Sequence, residues 1–179
     1  MSGDILASKA EALVNPVNCV GVMGSGLALQ FKRKFPENYK AYRQACQLGL
    51  LHPGSLFVYT IRISDPPGHP DYIINFPTKR HWNSSSRMED IESGLWALAA
   101  EIKQRKIHSI AVPALGCGLG GLDWAQVRPR IVKAFEDLPD VQVYLFEPGP
   151  GSQPFASGPV VCEKRETLSF REERPSSPN

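Results

Sequence analysis

Gly21-Val22-Met23-Gly24-Ser25-Gly26 and Gly116-Cys117-Gly118-Leu119-Gly120-Gly121 are each set between an apolar, strand-like run and a helical pattern. Glycine lets the main chain come close to an anion, and the first N–H groups of a following helix add a favourable dipole. Either turn alone is also what any tight turn requires. Both together, with polar residues around them, point to a nucleotide-like ligand carrying two phosphates. Positive charge gathers at Lys32-Arg33-Lys34 and Lys79-Arg80-His81. The first cluster reads equally as a solvated helix face.

The elements that must hold these turns follow from periodicity. Ala12-Leu13-Val14-Asn15 is a short buried strand. Leu27, Phe31 and Phe35 recur at four-residue spacing and mark a helix face. Pro36 opens a second helix carrying Tyr39, Tyr42 and Cys46, and Gly49 stops it. Leu56–Ile61 and Tyr72–Phe76 are strands, separated by a Pro- and Gly-rich loop at 65–70. A polar loop from Pro77 to Ser85 then carries Lys79. Ser86 and Glu89 have capping-box spacing ahead of a long helix to about Arg105, with Met88, Ile91, Leu95, Leu98 and Ile102 on its stripe. Ile110–Leu115 is strand-like. Asp123 with Gln126 caps the last helix, which Pro129 is expected to start or kink rather than occupy. Val141–Phe146 is the last strand. Strands alternating with helices imply an α/β layered sheet, largely parallel, with ligands bound beyond the carboxyl ends of its strands.

The chain of 179 residues, 42% hydrophobic and 21% charged, suits one ordinary soluble domain with its own core. Its net charge of +2 does not by itself argue for nucleic acid. The four cysteines and four histidines show no CxxC pair and no zinc-like spacing, so no metal or other cofactor is expected. They read as reduced thiols of a cytoplasmic protein, with Cys19 and Cys117 as small fillers near the glycine turns. No apolar run reaches membrane-spanning length, and no leader opens the chain. From 147 to 179, Gly, Pro, Ser and mixed charge dominate. That segment is expected to be a disordered or loosely docked tail beside a domain over 1–146.

Gly3-Asp4-Ile5, Ala12-Leu13-Val14-Asn15-Pro16-Val17-Asn18, the Gly24-Ser25-Gly26-Leu27-Ala28 turn and the Pro113-Ala114-Leu115-Gly116-Cys117-Gly118 loop together resemble a macrodomain. The resemblance implies a three-layer α/β/α fold with a central mixed, largely parallel sheet, binding ADP-ribose. A macrodomain's first strand normally precedes Gly-Asp-Ile; only Met1-Ser2 stand there, implying a truncated chain or a sheet one strand short. Val22 to Lys32 and the Lys79 loop are most similar to the DarG-like branch, whose members remove ADP-ribose from thymidine in single-stranded DNA and counter a DarT toxin. A related branch cleaves ADP-ribose esters from acidic protein side chains.

The resemblance implies that Lys79 is the catalytic residue. It assigns ADP-ribose contacts to Asp4, Ile5, Asn15, Val17, Asn18, Gly24, Ser25, Gly26, Leu27, Thr78, Gly116, Cys117, Gly118, Leu119, Gly120 and Phe146. Taken by residue type, Asp4 can accept from the adenine amine or cap a helix. Asn15 and Asn18 can donate to ribose hydroxyls or bond their own turn. Phe146 can stack on adenine or fill core. Lys79 would stabilise or protonate the departing base, or attack C1″ as a neutral amine. Ser25 replaces the lysine usual in the first glycine turn, and Gly120 matches the aspartate that the ester branch pairs with its lysine. The run Lys79-Arg80-His81-Trp82 suits a single strand, with cations for phosphate and an indole for a base. The implied partners are ADP-ribose, ADP-ribosylated single-stranded DNA and a DarT-like toxin, although 147–179 is too short to replace the second domain DarG uses for its toxin. An ester hydrolase and a non-catalytic ADP-ribose reader are the other readings.

Overall fold

The structure is a computed structural model, and it describes residues 4–61, 70–148 and 156–161. After a 3-10 turn at Ile5–Ala7 the elements run β1 (Ala12–Asn18), α1 (Gly26–Lys34), α2 (Pro36–Gln47), β2 (Phe57–Thr60), β3 (Tyr72–Lys79), α3 (Met88–Arg105), β4 (Ser109–Val112), α4 (Trp124–Phe135), β5 (Gln142–Pro148) and β6 (Ala156–Val161). The sheet order is β2-β3-β1-β4-β5-β6. The inner pairs β1/β3, β1/β4 and β4/β5 are parallel, and the edge pairs β2/β3 and β5/β6 are antiparallel. This is the expected mixed, largely parallel sheet.

Side-chain alternation along the inner strands builds the other two layers. Ala12, Val14, Ile74, Phe76, Ile110 and Val112 pack with Ile91, Leu95, Leu98 and Ile102 of α3 and with Val127 and Ile131 of α4. Leu13, Ile73 and Ala111 point the other way, onto Phe31 and Phe35 of the α1 region. Tyr42 and Ala45 of α2 join Val17 and Met23 in a third cluster. A period of two along each strand therefore divides one chain between two faces.

Several local expectations are corrected. Ser86 and Glu89 form no capping box, because α3 begins at Met88 behind Arg87, which makes no side-chain cap. The Ser86 N–H instead donates to the Gly120 carbonyl at 3.0 Å, drawing Ser86 out of the helix and into the second glycine loop. Pro129 sits inside α4; burial of Val127 and Ile131 on either side holds the helix together across the missing N–H. Asp123 does cap α4, accepting from the Ala125 N–H at 3.0 Å. Pro77, Thr78 and Lys79 are not loop but the last residues of β3. Ala156–Val161, within the stretch read as a tail, lies along β5 at the sheet edge. The question of a strand ahead of Gly3, the loop at 65–69 and the chain beyond 161 fall outside the described residues.

Candidate active site

The sheet opens where its topology reverses. From β1 the chain passes through α1, α2 and β2 to β3 on one side, then crosses over α3 to β4 on the other. Such switch points are where α/β sheets hold ligands. The β1/β4 ladder ends at Leu13↔Ala111, whereas β1/β3 pairing continues to Asn18. Pro16, with no N–H to give, stands in the part of β1 that has parted from β4. A cleft of about 580 Å³ occupies this opening, between the two glycine turns.

Lys79 reaches this cleft through an irregularity in β3. Val17 pairs with Pro77 but Asn18 with Lys79, so Thr78 is an extra residue opposite a continuous β1. Neighbours on a regular strand point to opposite faces; the bulge re-aims the chain so that Thr78 and Lys79 both line the cleft. The Lys79 ammonium donates to the Leu119 carbonyl of the second glycine loop, across the mouth. Partial burial lowers its pKa from the ordinary 10.5.

The first glycine turn is tied down by Asn18. Its Oδ1 accepts from the Val20 and Val22 N–H groups at 3.0 and 3.3 Å, and its Nδ2 donates to the Val22 carbonyl at 2.6 Å. The Tyr42 hydroxyl, 2.7 Å from the Asn18 carbonyl and 3.0 Å from Oδ1, backs this arrangement. Burial raises the Tyr42 pKa, so the phenol keeps its proton. The turn delivers Gly24, Ser25, Gly26 and Leu27 to the cleft as the N-terminus of α1, and Ser25 makes no side-chain cap. The first N–H groups of α1 therefore face the cleft without helical partners, the arrangement that receives an anion.

The second loop is held by close backbone packing. Gly116 has φ +74°, which only glycine adopts readily. A Cβ at Gly120 would collide with Ser86 Oγ and the Gly116 carbonyl. The N–H groups of Gly118, Leu119 and Gly120 meet no backbone acceptor among the described residues, so they remain for a ligand. No carboxylate can stand at position 120 beside Lys79 with the loop as packed, and Asp123 is committed as the α4 cap.

Of the residues read from the sequence, Asp4, Ile5, Val17, Asn18, Gly24, Ser25, Gly26, Leu27, Thr78, Lys79, Gly116, Gly118, Leu119, Gly120 and Phe146 line one cleft. Asp4 also caps the first 3-10 turn, accepting from the Leu6 N–H at 2.9 Å, and Phe146 is buried among Ile5, Leu13 and Phe31. Asn15 and Cys117 do not line it. Asn15 is wholly buried: its amide donates to Asn75 Oδ1 at 2.9 Å, and Asn75 is bonded in turn to Asn38 of α2. It ties β1 to β3 beneath the cleft, so it cannot donate to a ribose hydroxyl from there. Cys117 is half-buried with its Sγ on the Leu115 carbonyl. Burial pushes its pKa, and that of Cys19, up to about 11, leaving both as neutral thiols at pH 7. The reading by residue did not assign Pro16, Val22, Ala28, Gln30, Pro113, Ala114, Glu147 or Pro148 to the lining, and it gave Trp82 to a single strand rather than to the cleft. All of these but Glu147 and Pro148 stand inside or beside the motifs that carried the resemblance, and those motifs were the signal.

Among the described residues no group of three or more His, Cys, Asp or Glu is placed to hold a metal ion, and no helix is long and apolar enough to cross a membrane.

A ligand-sized cleft at the switch point of an α/β/α sheet, flanked by two anion-receiving turns, defines a class, and sequence comparison agrees. The Macro domain profile matches residues 14–131, and the chain belongs to that family. Within it, the DNA ADP-ribosyl glycohydrolase of Mycobacterium tuberculosis is 51% identical over 152 residues, covering 85% of this chain and 42% of that protein. The chain thus spans less than half the length of this relative. The solved macrodomain of M. tuberculosis DarG is 49% identical with a TM-score of 0.78, covering 84% of this chain and 96% of the other. Thermosipho africanus DarTG, solved in complex with ADP-ribose, is 39% identical with a TM-score of 0.75, over 82% of this chain and 40% of that one.

Proposed function

We propose that this chain is a glycohydrolase that releases ADP-ribose from thymidine in single-stranded DNA, reversing DNA ADP-ribosylation. The observation that carries this reading is Lys79, set by the β3 bulge at the mouth of a cleft between two glycine turns. In this reading the N–H groups of the α1 N-terminus and of the second loop clasp the diphosphate, Asp4 accepts from the adenine amine, and Lys79 meets the scissile bond. The likeness to DarG supports both the ligand and the bond. The ADP-ribose bound in the DarTG relative supports the ligand, and that protein's name supports a DarT-like partner.

Hydrolysis breaks the bond between C1″ of the distal ribose and a thymine ring nitrogen. The base takes the electron pair, positive charge develops on the sugar, and water adds its oxygen to C1″ while its proton ends on the base. An ammonium beside the departing base stabilises the negative charge as it forms. Lys79 is only partly buried, and this mechanism assigns it the ammonium's part. A lysine without a neighbouring acid, as the closed position 120 requires, fits release of a base better than hydrolysis of an ester.

The test is incubation with an ADP-ribosylated thymidine oligonucleotide and, separately, an ester-modified peptide, for the natural chain and Lys79→Ala. Release from the oligonucleotide, abolished by the substitution while ADP-ribose still binds, is the expected result. Release from the peptide alone would make the chain an ester hydrolase, and release from neither would make it a reader. Because the lowered pKa belongs to a group needed in its charged form, the rate should hold at neutral pH and fall as pH rises through that pKa. A rate that instead climbs over that range would assign Lys79 the nucleophile's part.

A further inference from the structure

Three exposed apolar side chains line the cleft that Lys79 enters. Val22, Trp82 and Leu119 are 38%, 57% and 68% exposed, and all line it. They come from the β1–α1, β3–α3 and β4–α4 connections. Apolar side chains scattered singly over a surface need no explanation, whereas three lining one cleft do. The Leu119 side chain crosses toward the first glycine turn, its Cδ1 3.7 Å from where a Cβ on Gly26 would stand, while its carbonyl holds Lys79.

Trp82 is exposed, but the turn that carries it is firmly built. The preceding Arg80 is fixed by two hydrogen bonds, at 3.0 and 3.2 Å, to Asp90, a buried residue of α3. Beyond Trp82 the turn closes through Ser84 N–H to the His81 carbonyl at 3.2 Å and His81 N–H to Ser84 Oγ at 3.2 Å. The indole, its ring 5.5 Å from that of His81 and still more than half exposed, lines the cleft from a pinned turn, and an exposed indole so placed has the attributes of a stacking platform for a base.

Resting on the function proposed above, we propose that Trp82 is the stacking platform for the nucleobase that carries the ADP-ribose, with Leu119 covering that base from the opposite loop. The platform sets specificity for a flat aromatic leaving group and orients its ring nitrogen toward Lys79. Trp82 is thus a substrate-contacting residue of the leaving-group subsite, separate from the ADP-ribose contacts.

The experiment compares the natural chain with Trp82→Ala and Trp82→Phe on two substrates: ADP-ribosylated thymidine as a free nucleoside, and the same unit within a single-stranded oligonucleotide. A parallel titration with ADP-ribose reports folding and the remainder of the cleft. Trp82→Ala should raise KM about tenfold on both substrates, the loss expected for one base–aromatic stack, with Trp82→Phe recovering most of it and ADP-ribose affinity unchanged. Loss on the oligonucleotide alone would overturn the inference and give the indole to a neighbouring base. An equal loss of ADP-ribose affinity would overturn it by placing Trp82 in the nucleotide pocket, and unchanged KM in an active enzyme would leave it a bare surface residue. If the natural chain releases nothing from either substrate, the reaction itself fails, and this inference with it.

Discussion

The two glycine turns face the same cleft and offer similar backbone donors, yet they are held by opposite means. The first is shaped by side chains: Asn18 bonds to Val20 and Val22, and Tyr42 backs Asn18. The second is shaped by a lack of side chains: Gly120 presses on Gly116 and Ser86 with no room for a Cβ. Among the described residues only the second holds the lysine's ammonium, through the Leu119 carbonyl. The first turn needs Gly21 and Gly26 for their backbone conformation, φ +80° and +58°, whereas the second needs Gly120 for space, and it is the second that holds the Lys79 ammonium.

This contrast ranks the substitutions. Lys79→Ala should have the largest effect, on the order of 10²–10³-fold in kcat for loss of a charge-stabilising donor. ADP-ribose affinity, measured by calorimetry, should be almost unchanged. Next comes Gly120→Ala, which overpacks the second loop and should cost about 1–3 kcal/mol. Because that loop holds both free N–H groups and the Leu119 carbonyl, affinity and kcat should fall together. A variant with unchanged kinetics would show that the loop has room to relax.

Asn18→Ala tests the other turn. It leaves the Val20 and Val22 N–H groups without their acceptor, at a cost of about 1–3 kcal/mol, and should lower both Tm and ADP-ribose affinity. Asn15→Ala is its control. It loosens the buried Asn15–Asn75 link and should lower Tm by the equivalent of about 1 kcal/mol, with ADP-ribose affinity unaltered. Weaker ADP-ribose binding by that variant would return Asn15 to the ligand site. The smallest change expected is for Ser25→Lys at the start of α1. One exposed cation near the diphosphate should strengthen binding by on the order of 1 kcal/mol. Equal or weaker binding by the lysine variant would mean that the α1 N–H groups already saturate the site.

The amino-acid order alone determined the alternation of strands and helices, both glycine turns, the α3 stripe and the Asp123 cap. These depend on periodicity and on residue types with narrow backbone preferences, all legible within a few residues. Most of the cleft lining was legible for the same reason, because glycine turns at strand ends mark where a ligand approaches. Tertiary structure alone decided what depends on a partner distant in sequence. The bulge at Thr78 exists only relative to β1, and it converts an apparent loop lysine into a strand-end residue aimed at the cleft. Asn15 is a structural link because Asn75 lies opposite it, and Ser86 forms no capping box because its N–H is given to the Gly120 carbonyl of a distant loop. Local sequence sets which hydrogen bonds are available; packing across the sheet sets which of them are made.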